Sequence, residues 1–121
     1  MFLISENSRY LRYLEDLKRY KQDIKQDMEY NQVFIVGATY CDKTDDAERI
    51  FNSANLRVKR VNWNRVTGDP YTYLEAAREF ADSRIDIPLI YICRRFYGDK
   101  DDLDLYLDSY GKDRLRDLVR C

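Results

Sequence analysis

The run Val33-Phe34-Ile35-Val36, followed after a short loop by Cys41 and an amphipathic helix, limits the folds open to this chain more than any other segment. Four apolar residues in a row, without alternation, describe a strand buried on both faces, as in a sheet covered by helices on either side. Residues 37–40 make the loop. Ala47, Ile50, Phe51 and Ala54 then recur at i, i+3, i+4 and i+7, the spacing of one helix face. Asn55 is a fitting stop. Residues 56–63 read as a second strand, whose apolar alternation slips a step between Val58 and Val61, as at a bulge. Strand, helix and strand joined by short loops imply a right-handed crossover and parallel pairing.

Gly68-Asp69-Pro70 is turn chemistry, after which Asp69 or Thr72 caps a helix carrying Tyr73, Leu74, Ala77, Phe80 and Ala81. Pro88 opens the run Leu89-Ile90-Tyr91-Ile92-Cys93. Arg94-Arg95 reads as a turn and Phe96-Tyr97 as a short strand, so these last two strands pair antiparallel. A helix with Leu103, Tyr106, Leu107 and Tyr110, then Gly111, then a short helix with Leu115, Leu118 and Val119 close the chain. The expected architecture is α/β, a mixed four-stranded sheet with helices on both faces. Ahead of it, residues 6–29 form a long amphipathic helix. Tyr10, Leu14, Leu17, Ile24 and Met28 mark its apolar stripe, broken at Lys21. The chain thus divides into an N-terminal helical extension, 1–31, and a main domain, 32–121. The extension either packs on that domain or offers a seam for a protein partner or for self-association.

With 121 residues, 45% of them apolar, the chain suits one ordinary core. Its net charge of −1 gives no electrostatic case for nucleic acid or an anionic membrane. No apolar run approaches the ~20 residues of a spanning helix. Met1-Phe2-Leu3-Ile4 is too short for a signal-peptide core, so a soluble, cytoplasmic chain is expected. Three cysteines at wide spacing make no disulfide framework, and none are in C-x-x-C. The chain has no histidine, which argues against zinc and removes Ser-His-Asp and Cys-His catalysis. Cys93 is expected to be an inert sheet residue and Cys121 a mobile terminal one. The eleven tyrosines fall largely on helix stripes, as packing residues. The acids at 99–104 fit a helix cap better than a metal site.

Cys41 stands where a strand gives way to a helix. Unpartnered backbone N–H groups and the positive end of the helix dipole favour a thiolate there. Lys43 would assist, whereas Asp42, Asp45 and Asp46 oppose the negative charge. A reactive thiol and an inert, partly buried one both fit this pattern.

Residues 33–41, with Asp42-Lys43-Thr44 after them, resemble the first strand and active-site turn of glutaredoxins, whose motif is C-P-Y-C or, in monothiol members, C-G-F-S. Cys41 falls on the nucleophilic cysteine and Thr44 on the resolving position. Asp86-Ile87-Pro88 resembles the family's Thr-Val-Pro, with Pro88 in the place of its cis-proline. Gly98-Asp99-Lys100-Asp101-Asp102-Leu103 resembles G-G-x-D-D-L, and residues 109–115 are similar to the closing S-G-K-L stretch. The resemblance covers about residues 32–119 and implies a thioredoxin-like fold.

It also implies a chemistry. With Thr44 at the resolving position, Cys41 forms no internal disulfide. It would attack glutathionylated proteins, take up the glutathionyl group and be released by a second glutathione. The Thr44 hydroxyl would hydrogen-bond the thiolate. Glutathione, the co-substrate, would lie against Tyr40 and Lys43. Its cysteinyl backbone would pair with Ile87 before Pro88, and its γ-glutamyl group would reach Lys100 and Asp101. The sequence departs from the family at Ala38 and Ile85, where basic residues are usual, and at Asp86. Two alternatives remain: a catalytically weak protein-interaction module, and a [2Fe–2S] cluster held between two subunits by Cys41 and glutathione.

Overall fold

The chain forms α1 (Phe2–Tyr30), β1 (Val33–Gly37), α2 (Asp42–Ser53), β2 (Val58–Asn62), α3 (Pro70–Glu79), β3 (Leu89–Ile92), β4 (Arg95–Gly98), α4 (Lys100–Tyr110) and α5 (Leu115–Leu118). This computed structural model describes the backbone of residues 2–82, 84 and 86–121, with side chains from Asn7 onward in that set. The apolar side chains that open the chain, and Ile85, lie outside the described residues. Among the described residues, no helix is long and apolar enough to cross a membrane.

The sheet has the order β2-β1-β3-β4. β1 pairs parallel with β2 and antiparallel with β3, and β3 pairs antiparallel with β4. This is the expected mixed sheet. The two central strands, β1 and β3, are buried along their whole length, which is why they read as unbroken apolar runs. Their side chains alternate between two cores. Phe34, Val36, Leu89 and Tyr91 meet Tyr20, Ile24 and Met28 of α1 and Tyr73 and Ala77 of α3. Val33, Ile35, Ile90 and Ile92 meet Ala47 and Phe51 of α2, Leu103 of α4 and Leu115 of α5. Each fully buried Val, Leu, Ile or Phe side chain among them contributes roughly 1.5–3 kcal/mol.

Three local expectations are corrected. The slip between Val58 and Val61 is not a bulge, because the β1–β2 register runs unbroken from Val33↔Val58 to Gly37↔Asn62. Val58 packs in the α2-side core and Val61 in the α1-side core, so a strand covered on both faces needs no alternation. The irregular register falls instead between Ile90 and Tyr91, against β4. The hairpin turn is Cys93-Arg94, both at positive φ, and Arg95 already belongs to β4.

The α1 stripe is the third correction. Tyr20, Ile24 and Met28 are buried and Leu17 half-buried, whereas Tyr10 and Leu14 stay exposed. Tyr20 carries the stripe past Lys21, which turns aside to pair with Glu79 of α3 at 2.7 Å. The second half of α1 therefore shares the core of the sheet. The Tyr20 hydroxyl donates to the Thr67 carbonyl at 2.9 Å and accepts from the Asp69 amide at 3.1 Å. It occupies the space a Cβ would need at Gly68, whose φ is +104°. Asp69 caps α3, accepting from Tyr71 N–H at 3.0 Å and from the Thr72 hydroxyl at 2.9 Å.

Candidate active site

Cys41 is the N-cap residue of α2, in extended conformation, and its carbonyl accepts the Asp45 amide at 3.1 Å. No side chain caps this helix. The amides of Asp42, Lys43 and Thr44, which have no intrahelical partner, thus surround a half-exposed thiol that takes part in no disulfide. The positive end of the α2 dipole adds its partial charge at the same place.

The loop before Cys41 is held by residues that sequence reading missed. Arg60 of β2 lies opposite Ile35 and faces α2. Its guanidinium donates to the Ala38 carbonyl at 3.2 Å, to Asp45 at 2.8 Å, to Glu48 at 3.4 Å and to Asn62 at 2.8 Å. Two carboxylates of the first α2 turns are thereby balanced by one half-buried cation. Asn64 and Thr39 bond each other twice: the Thr39 backbone N–H donates to Asn64 Oδ1 at 3.1 Å, and Asn64 Nδ2 donates to the Thr39 hydroxyl at 2.7 Å. Residues 25 positions apart gave no periodic signal that would have joined them.

Thr44 is fully buried, and its hydroxyl accepts the Ala38 amide at 3.3 Å. Among the described residues no hydrogen bond joins it to the Cys41 sulfur. Its side chain lies against Gly37, where a Cβ would collide with it. Thr44 thus closes the loop back onto the end of β1.

Lys43, Asp86, Ile87, Asp99, Lys100 and Asp101 line a cleft of about 130 Å³. Four of the residues expected at a ligand site, Lys43, Ile87, Lys100 and Asp101, are therefore brought together from three separate segments. Pro88 follows Ile87 through a cis peptide bond and is buried. Tyr40, at φ 61°, is 93% exposed and lies outside the cleft lining, as does Thr44. The cleft is charged in both senses. Lys100 is held by Asp104 at 2.6 Å, and Lys43 stands 4.0 Å from Asp101. Asp99 and Asp102 form a reciprocal capping box, with Asp99 accepting from the Asp102 amide at 3.1 Å and Asp102 from the Asp99 amide at 3.0 Å. Arg84 flanks both carboxylates, at 3.8 and 3.4 Å. The amides of Lys100 and Asp101 stay outside this box.

Cys93 is not an inert sheet residue and Cys121 is not a loose end. The two form a disulfide across 28 residues. It sits by Gln32, at the end of β1 remote from Cys41, since Cys93 N–H donates to the Gln32 carbonyl. Cys121 therefore cannot resolve Cys41 within one molecule. Among the described residues no group of three or more metal-ligating side chains converges. A [2Fe–2S] cluster takes four ligands, and one chain offers a single free thiol, so such a cluster would need a second chain and glutathione to complete its ligand set.

No protein-family profile and no curated protein sequence matches this chain. Solved structures do. A buckwheat glutaredoxin–glutathione complex superposes with a TM-score of 0.73 at 17% identity, over 84% of this chain and 90% of that one. Glutaredoxin C1 from Populus tremula x tremuloides gives 0.76 at 16% identity, over 88% and 87%. Oxidised glutaredoxin 2 from Chlamydomonas reinhardtii gives 0.69 at 19%, over 84% and 94%. With strand order β2-β1-β3-β4, helices on both faces and Cys41 at the head of α2, the chain has the thioredoxin-like fold in the form that glutaredoxins take.

Proposed function

We propose that the chain is a glutathione-dependent thiol–disulfide oxidoreductase that works through Cys41 by a monothiol mechanism. The observation that carries this reading is the cleft shared by Lys43, Ile87, Lys100 and Asp101, two residues from the one free thiol. The solved buckwheat relative was captured with glutathione, which agrees with that ligand class. A volume of about 130 Å³ suits one residue of the tripeptide, the γ-glutamyl group, and not the whole of it. The cysteinyl part would lie along the Ile87 backbone as an added strand, bringing its sulfur toward Cys41. Lys100 is already neutralised by Asp104, so of the two cleft lysines Lys43 is the one to meet a ligand carboxylate.

In the first step the Cys41 thiolate attacks the glutathionyl sulfur of a protein mixed disulfide. A Cys41–glutathione disulfide forms, and the protein thiolate leaves and takes a proton from water. In the second step the thiolate of a free glutathione attacks the glutathionyl sulfur on Cys41. Glutathione disulfide leaves, and Cys41 returns as thiolate. The helix amides and dipole stabilise the charge at the start and end of the cycle.

The test uses protein with Cys93 and Cys121 both changed to serine, so that Cys41 is the sole thiol. Intact mass after incubation with oxidised glutathione is expected to show one glutathionyl adduct, absent when Cys41→Ser is added. No adduct at neutral pH would overturn the reading. A second reading, a protein-interaction module, is favoured by Tyr10 and Leu11, exposed on the first half of α1. Binding lost in Tyr10→Lys/Leu11→Lys protein that still forms the Cys41 adduct would separate the two roles.

A further inference from the structure

β3 and β4 are joined by a two-residue turn, Cys93-Arg94, with φ of 53° and 70°. Such turns need positive φ at both central positions and favour Asn-Gly. A cysteine and an arginine there are held in the left-handed region that L residues with a Cβ disfavour. The turn aims Cys93 out of the sheet toward the end of the chain, where Cys121 lies with a Cα–Cα separation of 5.3 Å. Backbone strain at a chemically active residue is a feature of functional sites.

The disulfide is open to solvent. Cys93 is half-exposed and Cys121 exposed. Both line a cleft of about 620 Å³, within the range of small-molecule sites. Arg94 and Arg95 stand in its wall, with Glu29 as the one acid and the exposed ring of Tyr30 beside it. Among the side chains of this wall, two guanidiniums face one carboxylate. Both sulfurs also lie 3.4 Å from the Val119 carbonyl oxygen, which is placed to accept an S–H from either cysteine once the bond is reduced. Leu115 and Val119, buried in the α2-side core, hold α5 against the sheet.

We propose that Cys93 and Cys121 form a second thiol–disulfide exchange site, which takes small anionic thiols such as glutathione and cycles independently of Cys41. The incoming thiolate attacks the Cys121 sulfur. A mixed disulfide forms there, and Cys93 leaves as thiolate and takes a proton. A second thiolate attacks the outer sulfur of that mixed disulfide, and Cys121 leaves as thiolate. Two small thiols become one disulfide, and the protein disulfide becomes two thiols. The reverse reaction uses the small-molecule disulfide as oxidant. Arg94 and Arg95 raise the local concentration of anionic thiols. Five residues of β1, at about 3.3 Å each, separate this site from Cys41, so neither can resolve the other within one chain.

Full-length Cys41→Ser protein isolates the site, and its result does not depend on what Cys41 does. The protein is equilibrated in a series of reduced-to-oxidised glutathione ratios, quenched in acid, alkylated and weighed intact. The expected result is a passage between species with no label and with two labels, with lasting glutathionyl adducts a minor fraction. In Cys93→Ser/Cys41→Ser protein, Cys121 should keep its glutathione. Two labels at every ratio, none at every ratio, or stable adducts on both cysteines would overturn the proposal. Arg94→Glu/Arg95→Glu should slow reduction by glutathione about tenfold and leave reduction by uncharged 2-mercaptoethanol unchanged. Equal rates with glutathione before and after that change would refute the anionic-thiol preference.

Discussion

Arg60 Nη1 lies 2.8 Å from Asp45 Oδ1, and the same guanidinium holds the carbonyl of Ala38. One side chain of the edge strand therefore both fixes the loop that presents Cys41 and offsets an acid in the first turn of its helix. Arg60→Met keeps the apolar stem but removes every one of these bonds. It should cost about 1–3 kcal/mol, read as a lower midpoint in urea, because Arg60 is largely buried and its bonds are to charged groups. It should also slow glutathionylation of Cys41, since Asp45 and Glu48 are then unbalanced beside the thiolate. A variant with native stability and native rate would remove Arg60 from the account.

Gly37 and Thr44 form a matched pair. A Cβ at Gly37 would run into the buried Thr44 side chain, its methyl first. Gly37→Ala should destabilise by about 1–3 kcal/mol as an overpacked site. Adding Thr44→Ser removes the methyl but keeps the hydroxyl and Cβ, and the double variant should recover part of the loss. Purely additive effects in this double-mutant cycle would contradict the contact.

Lys43 separates binding from chemistry. Its side chain is exposed and its ion pair with Asp101 is long, at 4.0 Å, so it is available to a ligand. Lys43→Ala should raise the KM for a glutathionylated peptide several-fold while kcat changes little, the pattern of a group that binds ground and transition states alike. A loss confined to kcat would instead place Lys43 at the thiolate.

Much of the fold was legible in the sequence because burial wrote it there. β1 and β3 are unbroken apolar runs since both faces are covered, and α2 shows its buried face as Ala47 and Phe51 at helical spacing. Asp69 announced the start of α3 because its carboxylate does cap it. Cys41, Lys43, Ile87, Lys100 and Asp101 were found through motif order, and the structure puts the last four in one cleft. What stayed hidden depends on three-dimensional register. Arg60 reaches Ala38 only because β2 runs parallel to β1, and Cys93 meets Cys121 only because the turn reverses its direction. Tyr20 was missed because Lys21 beside it broke the apolar pattern, although its ring is among the buried residues.

Asp27, on α1 near Tyr73, has its carboxyl pushed above the ordinary value of 3.8 by burial, with the negative Asp23 adding and Lys59 opposing. From the ordinary value up to the raised one, such an acid binds more protons folded than unfolded. Stability should therefore fall as pH rises through that window and stay lower at neutral pH. Asp27→Asn should flatten this slope and make the protein more stable at neutral pH, as followed by urea unfolding over a mildly acidic series. A variant that is less stable at neutral pH would contradict this.

The most direct test of the account is turnover of a glutathionylated peptide with excess reduced glutathione, followed by the release of glutathione disulfide. Wild-type protein and the Cys93→Ser/Cys121→Ser variant should both turn over well above glutathione alone, and Cys41→Ser should fall to that background. Turnover that survives Cys41→Ser, or a wild-type rate equal to background, would contradict the claim that Cys41 is the nucleophile of this site.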